Sequence, residues 1–166
     1  MHARNPDFQR RPLRVRHQPV TDMDSSMKRL PLPVHLQGLF FDWLWDTTMV
    51  WSLPTPVSQL PFENLAWHLG LTVWSTVRGE PRFDLAPATV LAAPSAHARH
   101  WAKIQNADLS YPLELFDHGG RWVILDGYHR LCRHYLSQTQ QVPVRFHPAG
   151  CRTAVEVLRR GCSDRL

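Results

Sequence analysis

Residues 122–136 run Trp122-Val123-Ile124-Leu125-Asp126-Gly127-Tyr128-His129-Arg130-Leu131-Cys132-Arg133-His134-Tyr135-Leu136, and the apolar period changes halfway along. Trp122 to Leu125 is an apolar run of strand length, predicted to be a buried strand. Gly127 lets the backbone turn tightly. From there Tyr128, Leu131, Cys132, Tyr135 and Leu136 recur at i, i+3, i+4, i+7 and i+8, the spacing of one helix face. His129, Arg130, Arg133 and His134 fall off that face. A helix start carries free N–H groups and about half a positive charge. With Arg and His added, Gly127, Tyr128, His129 and Arg130 form a predicted anion site, most simply for phosphate. Asp126 has three open roles beside it: to cap the helix, to hold a metal ion or to take a proton. As a purely structural joint, this strand–turn–helix needs only the cap.

The flanking residues extend the pattern. Tyr111 to Phe116 and Arg121 to Leu125 are predicted strands, joined through Asp117-His118-Gly119-Gly120, where the glycines suit a hairpin turn. After the helix and a polar loop, Val142-Pro143-Val144-Arg145-Phe146 returns as a strand.

Asp126-Gly127-Tyr128-His129-Arg130 between strand and helix resembles the D-G-x-H-R motif of the ParB/sulfiredoxin superfamily, and Val142-Pro143-Val144 resembles the I-P-V strand that follows it. The resemblance covers residues 108–147 and extends back to about Met49. It implies an α+β fold, a ParB/sulfiredoxin-like small mixed sheet with flanking helices. It also implies a nucleotide, ATP or ADP, whose phosphates dock at the helix start with Mg²⁺. Superfamily members include sulfiredoxins, CTP-binding partition proteins and free-serine kinases. Sulfiredoxins carry a catalytic Cys where this chain has Tyr128, which argues against their chemistry. Partition proteins add DNA-binding and dimerisation domains, for which the residues after Pro148 are too few.

Elsewhere the readings are local. Residues 1–33 form a predicted basic, flexible arm, residues 34–150 the domain, and residues 151–166 a C-terminal helix or tail. The net charge is +5, and residues 1–30 hold seven basic and three acidic residues, so the basic character belongs mainly to the arm. Such an arm suits nucleic acid or an acidic partner. Leu36, Leu39, Phe40, Trp43 and Leu44 have helical spacing. Thr47 to Leu53 is β-branched and aromatic enough for a strand, and Val57 to Leu60 is a second short strand. Pro61 to Gly70 is a predicted helix with Glu63 in its first turn. Pro87 to Leu91 is a short helix, and Ser95 is a predicted N-cap for a helix from Ala96 to Asn106. Thr153 to Arg160 completes the chain as a helix.

Three cysteines with no C-x-x-C pair point to a reducing compartment. No segment reaches the roughly 18 apolar residues of a membrane span, and no apolar region follows the basic start, so a cytoplasmic protein is expected. His97 and His100 share a helix face but lack a third ligand, a weak metal signal.

Three functions follow. The first is a small-molecule phosphotransferase: Gly127, Tyr128, His129 and Arg130 bind phosphate, His129 donates to a phosphoryl oxygen, and Asp126 acts as base or holds Mg²⁺. A second acidic group must then face His129, and Glu63 and Asp108 are the candidates. The second is a non-catalytic module recruiting nucleic acid or a protein partner through residues 1–30. The third, a nuclease, needs a cluster of metal-holding carboxylates that the motif region lacks.

Overall fold

The computed structural model describes residues 32–80 and 82–157. Residues 1–31 of the predicted arm and residues 158–160 of the predicted C-terminal helix lie outside them; of that helix only Arg152–Val155 forms, and Glu156 is extended and pairs with Trp45. The fold is α+β. Four strands, β1 (Val57–Pro61), β2 (Leu113–His118), β3 (Arg121–Asp126) and β4 (Gln141–His147), form one mixed sheet in the order β1-β4-β2-β3. β1 runs antiparallel to β4, β4 parallel to β2, and β2 antiparallel to β3. Five helices flank the sheet: α1 (Thr47–Ser52), α2 (Pro87–Ala92), α3 (Ala98–Gln105), α4 (Tyr128–Leu136) and α5 (Arg152–Val155).

The β2–β3 hairpin turns through Gly119 and Gly120, whose φ values of +62° and +80° lie where side chains are disfavoured. Its register contains one irregularity. Leu115 pairs with Ile124 but Glu114 with Asp126, so Leu125 is an extra residue on β3. A bulge of this kind re-aims the end of a strand. Here it directs the chain into the Asp126-Gly127 turn and α4.

α4 separates two apolar clusters. Tyr128 and Leu131 belong to the main core with Leu113, Leu115, Ile124, Val142 and Val144. Cys132 turns to a smaller core with Leu85, Val90 and Ile104, between α2, α3 and α4. Leu131 and Cys132 are fully buried, as the spacing predicts, whereas Tyr135 and Leu136 at the helix end are exposed. Trp122, expected inside, is 40% exposed at the edge of the sheet and packs on Phe146.

Several local expectations are corrected. The predicted strand Thr47–Leu53 is instead helix α1, Thr47–Ser52, with Leu53 as its C-cap. Asp46 accepts hydrogen bonds from the amides of Thr48 (2.8 Å) and Met49 (3.4 Å), and this cap overrides β-branched propensity. The spacing from Leu36 to Leu44 gives one 3₁₀ turn, Val34–Leu36, and then irregular chain with Gly38 at φ +70°. Leu36, Phe40, Phe41 and Trp43 are nonetheless buried, with Phe41 and Trp43 setting their rings against Phe116, whereas Leu44 is exposed. Pro61–Gly70 forms two 3₁₀ segments, Phe62–Asn64 and Ala66–Gly70. Ser95 caps nothing: a 3₁₀ segment, Pro94–His97, precedes α3.

Candidate anion-binding site at the start of α4

The turn into α4 is tightly specified. Gly127, the N-cap residue, has φ +115°, and a Cβ there would lie 2.6 Å from Leu113 Cδ2 and 3.1 Å from Arg130 Nη2. Only glycine admits both that conformation and that approach. The first helical bond runs from Leu131 N–H to Gly127 C=O, so the amides of Tyr128, His129 and Arg130 are the free donors of the first turn.

Asp126 does not cap. Its Oδ2 accepts from Arg130 Nη2 at 3.0 Å and from Trp51 Nε1 of α1 at 3.1 Å. The bulge and the left-handed glycine aim the carboxylate along the helix flank, away from the amides. Arg130 is largely covered, at 15% side-chain exposure. Its Nε is buried without a hydrogen-bond partner.

These residues line a cleft of about 350 Å³ with Lys103, Asn106, Ala107, Asp108 and Tyr111. Of the predicted site residues the cleft brings together Asp126, Gly127, His129 and Arg130. Tyr128 turns its ring into the core, where burial raises its phenol pKa, so only its amide can serve a ligand. Glu63 is exposed on the Phe62–Asn64 segment and lines neither this cleft nor the second one described below. Its neighbour Phe62 packs on Tyr135, roughly 10 Å along the helix axis from the first turn. Asp108, the other candidate acid, lines the cleft.

Sequence reading missed how His129 is held. Its ring and that of His100 on α3 both lie nearly parallel to Trp74, with centroids 4.5 Å from the indole in each case. The two imidazoles meet edge to edge, His100 Nδ1 to His129 Nε2, at 3.3 Å. Arg99 Nη2 lies 3.0 Å from His100 Nε2. A guanidinium only donates, so His100 Nε2 accepts and its proton sits on Nδ1. His129 Nε2 therefore accepts, and the proton of neutral His129 is left on Nδ1. That nitrogen has no partner among the described residues and is not sealed from solvent. Burial, followed by Lys103 and the other cations nearby, pushes the His129 pKa down to about 3. His129 is thus a neutral donor across the physiological range. His100 drew notice in the sequence only through its spacing from His97. The stacking on Trp74 is long-range and had no sequence signal.

A second polar assembly also escaped the sequence. Glu114 on β2 is 2% exposed and accepts from Arg145 Nη2 (2.7 Å) and Arg145 Nε (2.9 Å), both on β4. Glu114 Oε2 also lies 2.7 Å from Nε2 of the fully buried His147, whose Nδ1 is 3.0 Å from Thr55 Oγ1. Burial opposes ionisation of Glu114, but the bonds from His147 and Arg145 outweigh it and hold its carboxyl below the usual range. Thr55, Glu114 and Arg145 line a second cleft of about 280 Å³ with Trp51, Val57, Tyr111, Pro112 and Arg130. Arg130 and Tyr111 stand between the two clefts.

Among the described residues no three His, Cys, Asp or Glu side chains come together as a metal-binding group, and no helix is long and apolar enough to cross a membrane. Comparison with protein-family models, with curated proteins and with solved structures finds no match in any of the three.

Proposed function

We propose that the chain binds the phosphates of ATP or ADP at the start of α4 and transfers a phosphoryl group to a small molecule, as a ParB/sulfiredoxin-like phosphotransferase related to free-serine kinases. One observation carries the reading. His129 and Arg130, whose amides are free, line one cleft together with Lys103, and they bring to it the Arg130 guanidinium and a neutral His129 donor. Phosphoryl transfer depends mainly on positioning and charge stabilisation, which such donors supply.

The same cleft holds two carboxylates, Asp108 and Asp126. Beside a polyphosphate they repel it unless a cation lies between. Mg²⁺ is commonly held by one or two carboxylates together with substrate phosphates, so this pair suits it without a larger cluster. Asp126, with Oδ1 free of hydrogen bonds among the described residues, serves as base or Mg²⁺ ligand, and Asp108 takes the place offered to Glu63 in the sequence. Free thiols at Cys132 and Cys151 support a cytoplasmic setting.

Calorimetry with ATP, ADP and CTP, with and without Mg²⁺, tests this. Saturable binding of an adenine nucleotide that strengthens with Mg²⁺ is expected. Arg130→Ala should weaken it by about 1.5–3 kcal/mol, the range for charged hydrogen bonds. Absence of heat with all three nucleotides would overturn the reading in favour of a non-catalytic module recruiting nucleic acid or an acidic partner through residues 1–30.

A further inference from the structure

Thr55 and Glu114 line the second cleft, and the buried imidazole of His147 joins them from behind its wall, a hydroxyl, an imidazole and a carboxylate in series. We propose that Thr55, His147 and Glu114 form a nucleophilic relay, with Thr55 Oγ1 as the attacking atom and a small carboxylic ester as substrate. This does not rest on the nucleotide reading, since of these residues and clefts only Arg130 and Tyr111 are shared.

In the neutral form of His147 that the relay requires, the direction of each bond follows from chemistry. Glu114, ionised, only accepts, so His147 carries its proton on Nε2 and donates it to Oε2. His147 Nδ1 then offers a lone pair, and the Thr55 hydroxyl donates to it. A nucleophile within hydrogen-bond reach of a base, itself oriented by a third group, is the arrangement that activates a hydroxyl. Here the two ring nitrogens exchange the roles they hold in serine proteases.

The support around the relay is rigid. Arg145 grips Glu114 and also donates to the carbonyls of Trp51 and Leu53, the chain that leads to Thr55. Pro54 and Pro56 flank Thr55 and restrict its backbone. Stability alone does not explain the assembly, because a buried ion pair is often no more stabilising than well-packed apolar residues. Trp51, Val57 and Pro112 give the cleft apolar walls for an acyl chain, and the cations Arg130 and Arg145 also line it.

In the reaction Thr55 Oγ1 bonds to the carbonyl carbon while its proton passes to His147 Nδ1. The resulting imidazolium keeps its Nε2–H on Glu114. Collapse breaks the carbon–oxygen bond to the alcohol, which departs with the proton from Nδ1. Water, deprotonated by the same nitrogen, then releases the acid and restores Thr55.

The test is exposure of the full wild-type chain to p-nitrophenyl acetate, with p-nitrophenolate release followed by absorbance and the acetyl adduct located by peptide mass spectrometry. An early burst with acetyl on Thr55 is expected. Thr55→Ser should retain it, and Thr55→Val and His147→Gln should each lower the rate by about a hundredfold or more. Absence of an adduct at Thr55 in the wild-type chain would overturn the proposal whether or not the variants fold. So would acetylation at other side chains with an unchanged rate in Thr55→Val.

Discussion

Gly127 is the residue on which the candidate site turns, because its left-handed conformation and its contact with Leu113 permit no side chain. Gly127→Ala should destabilise the protein by about 2–4 kcal/mol, combining backbone strain with overpacking. It should also displace Arg130, whose Nη2 and Nε lie within 3.2 Å of the added carbon. Urea unfolding would show the loss. An unchanged midpoint would mean that the turn relaxes freely. This residue was legible in the sequence because an Asp-Gly pair between a strand and a helix is a local signal. The role of Asp126 was not, since Trp51, 75 residues earlier in the chain, is one of the two groups that hold it. The tautomer of His129 was hidden for the same reason: Trp74, Arg99 and His100 come from other elements.

At the scale of elements, α4 and the hairpin before it follow from period and turn chemistry, and β4 from its apolar run. Segments whose pattern fits two structures were misread. Thr47–Ser52 has the composition of a strand, yet its two ends are held as a helix. Asp46 caps the first turn, and Arg145 donates to the carbonyls of Val50 and Trp51 at the other end. Arg145 therefore ties α1 to the sheet and also neutralises Glu114. Arg145→Ala should cost about 3–5 kcal/mol, the range for leaving one partner of a buried pair without its counter-charge. A chemical-denaturation series compared with Arg82→Ala, an exposed pair with Glu80, would check this. Equal small losses in both variants would contradict it.

The molecule as a whole carries several histidines held neutral by their surroundings. His68 is fully buried; its Nδ1 meets the Leu65 carbonyl and its Nε2 accepts from the Ile124 amide. Burial lowers its pKa from 6.5 to about 4. In the unfolded chain His68 takes up a proton as the pH falls below about 6.5, whereas in the folded chain it does so only near 4. The unfolded state binds more protons throughout that window, so stability is full above it and is lost as the pH falls. His68 alone contributes about 3 kcal/mol of this change, and His129 adds to it with the same sign. The urea midpoint should therefore drop between about pH 7.5 and pH 4.5, and a flat profile would contradict the buried neutral state. The α+β class was legible from alternating elements, but the packing of the aromatic segment near Phe41 and the second cleft arise from long-range contacts that no local pattern encodes.

An amide NMR spectrum of the full chain, titrated with Mg²⁺ and ATP, tests the phosphate-binding claim most directly. The predicted result is saturable shifts centred on the amides of Gly127, Tyr128, His129 and Arg130, with the side chain of Lys103 following. Shifts confined to residues 1–30, or none at the start of α4, would contradict it.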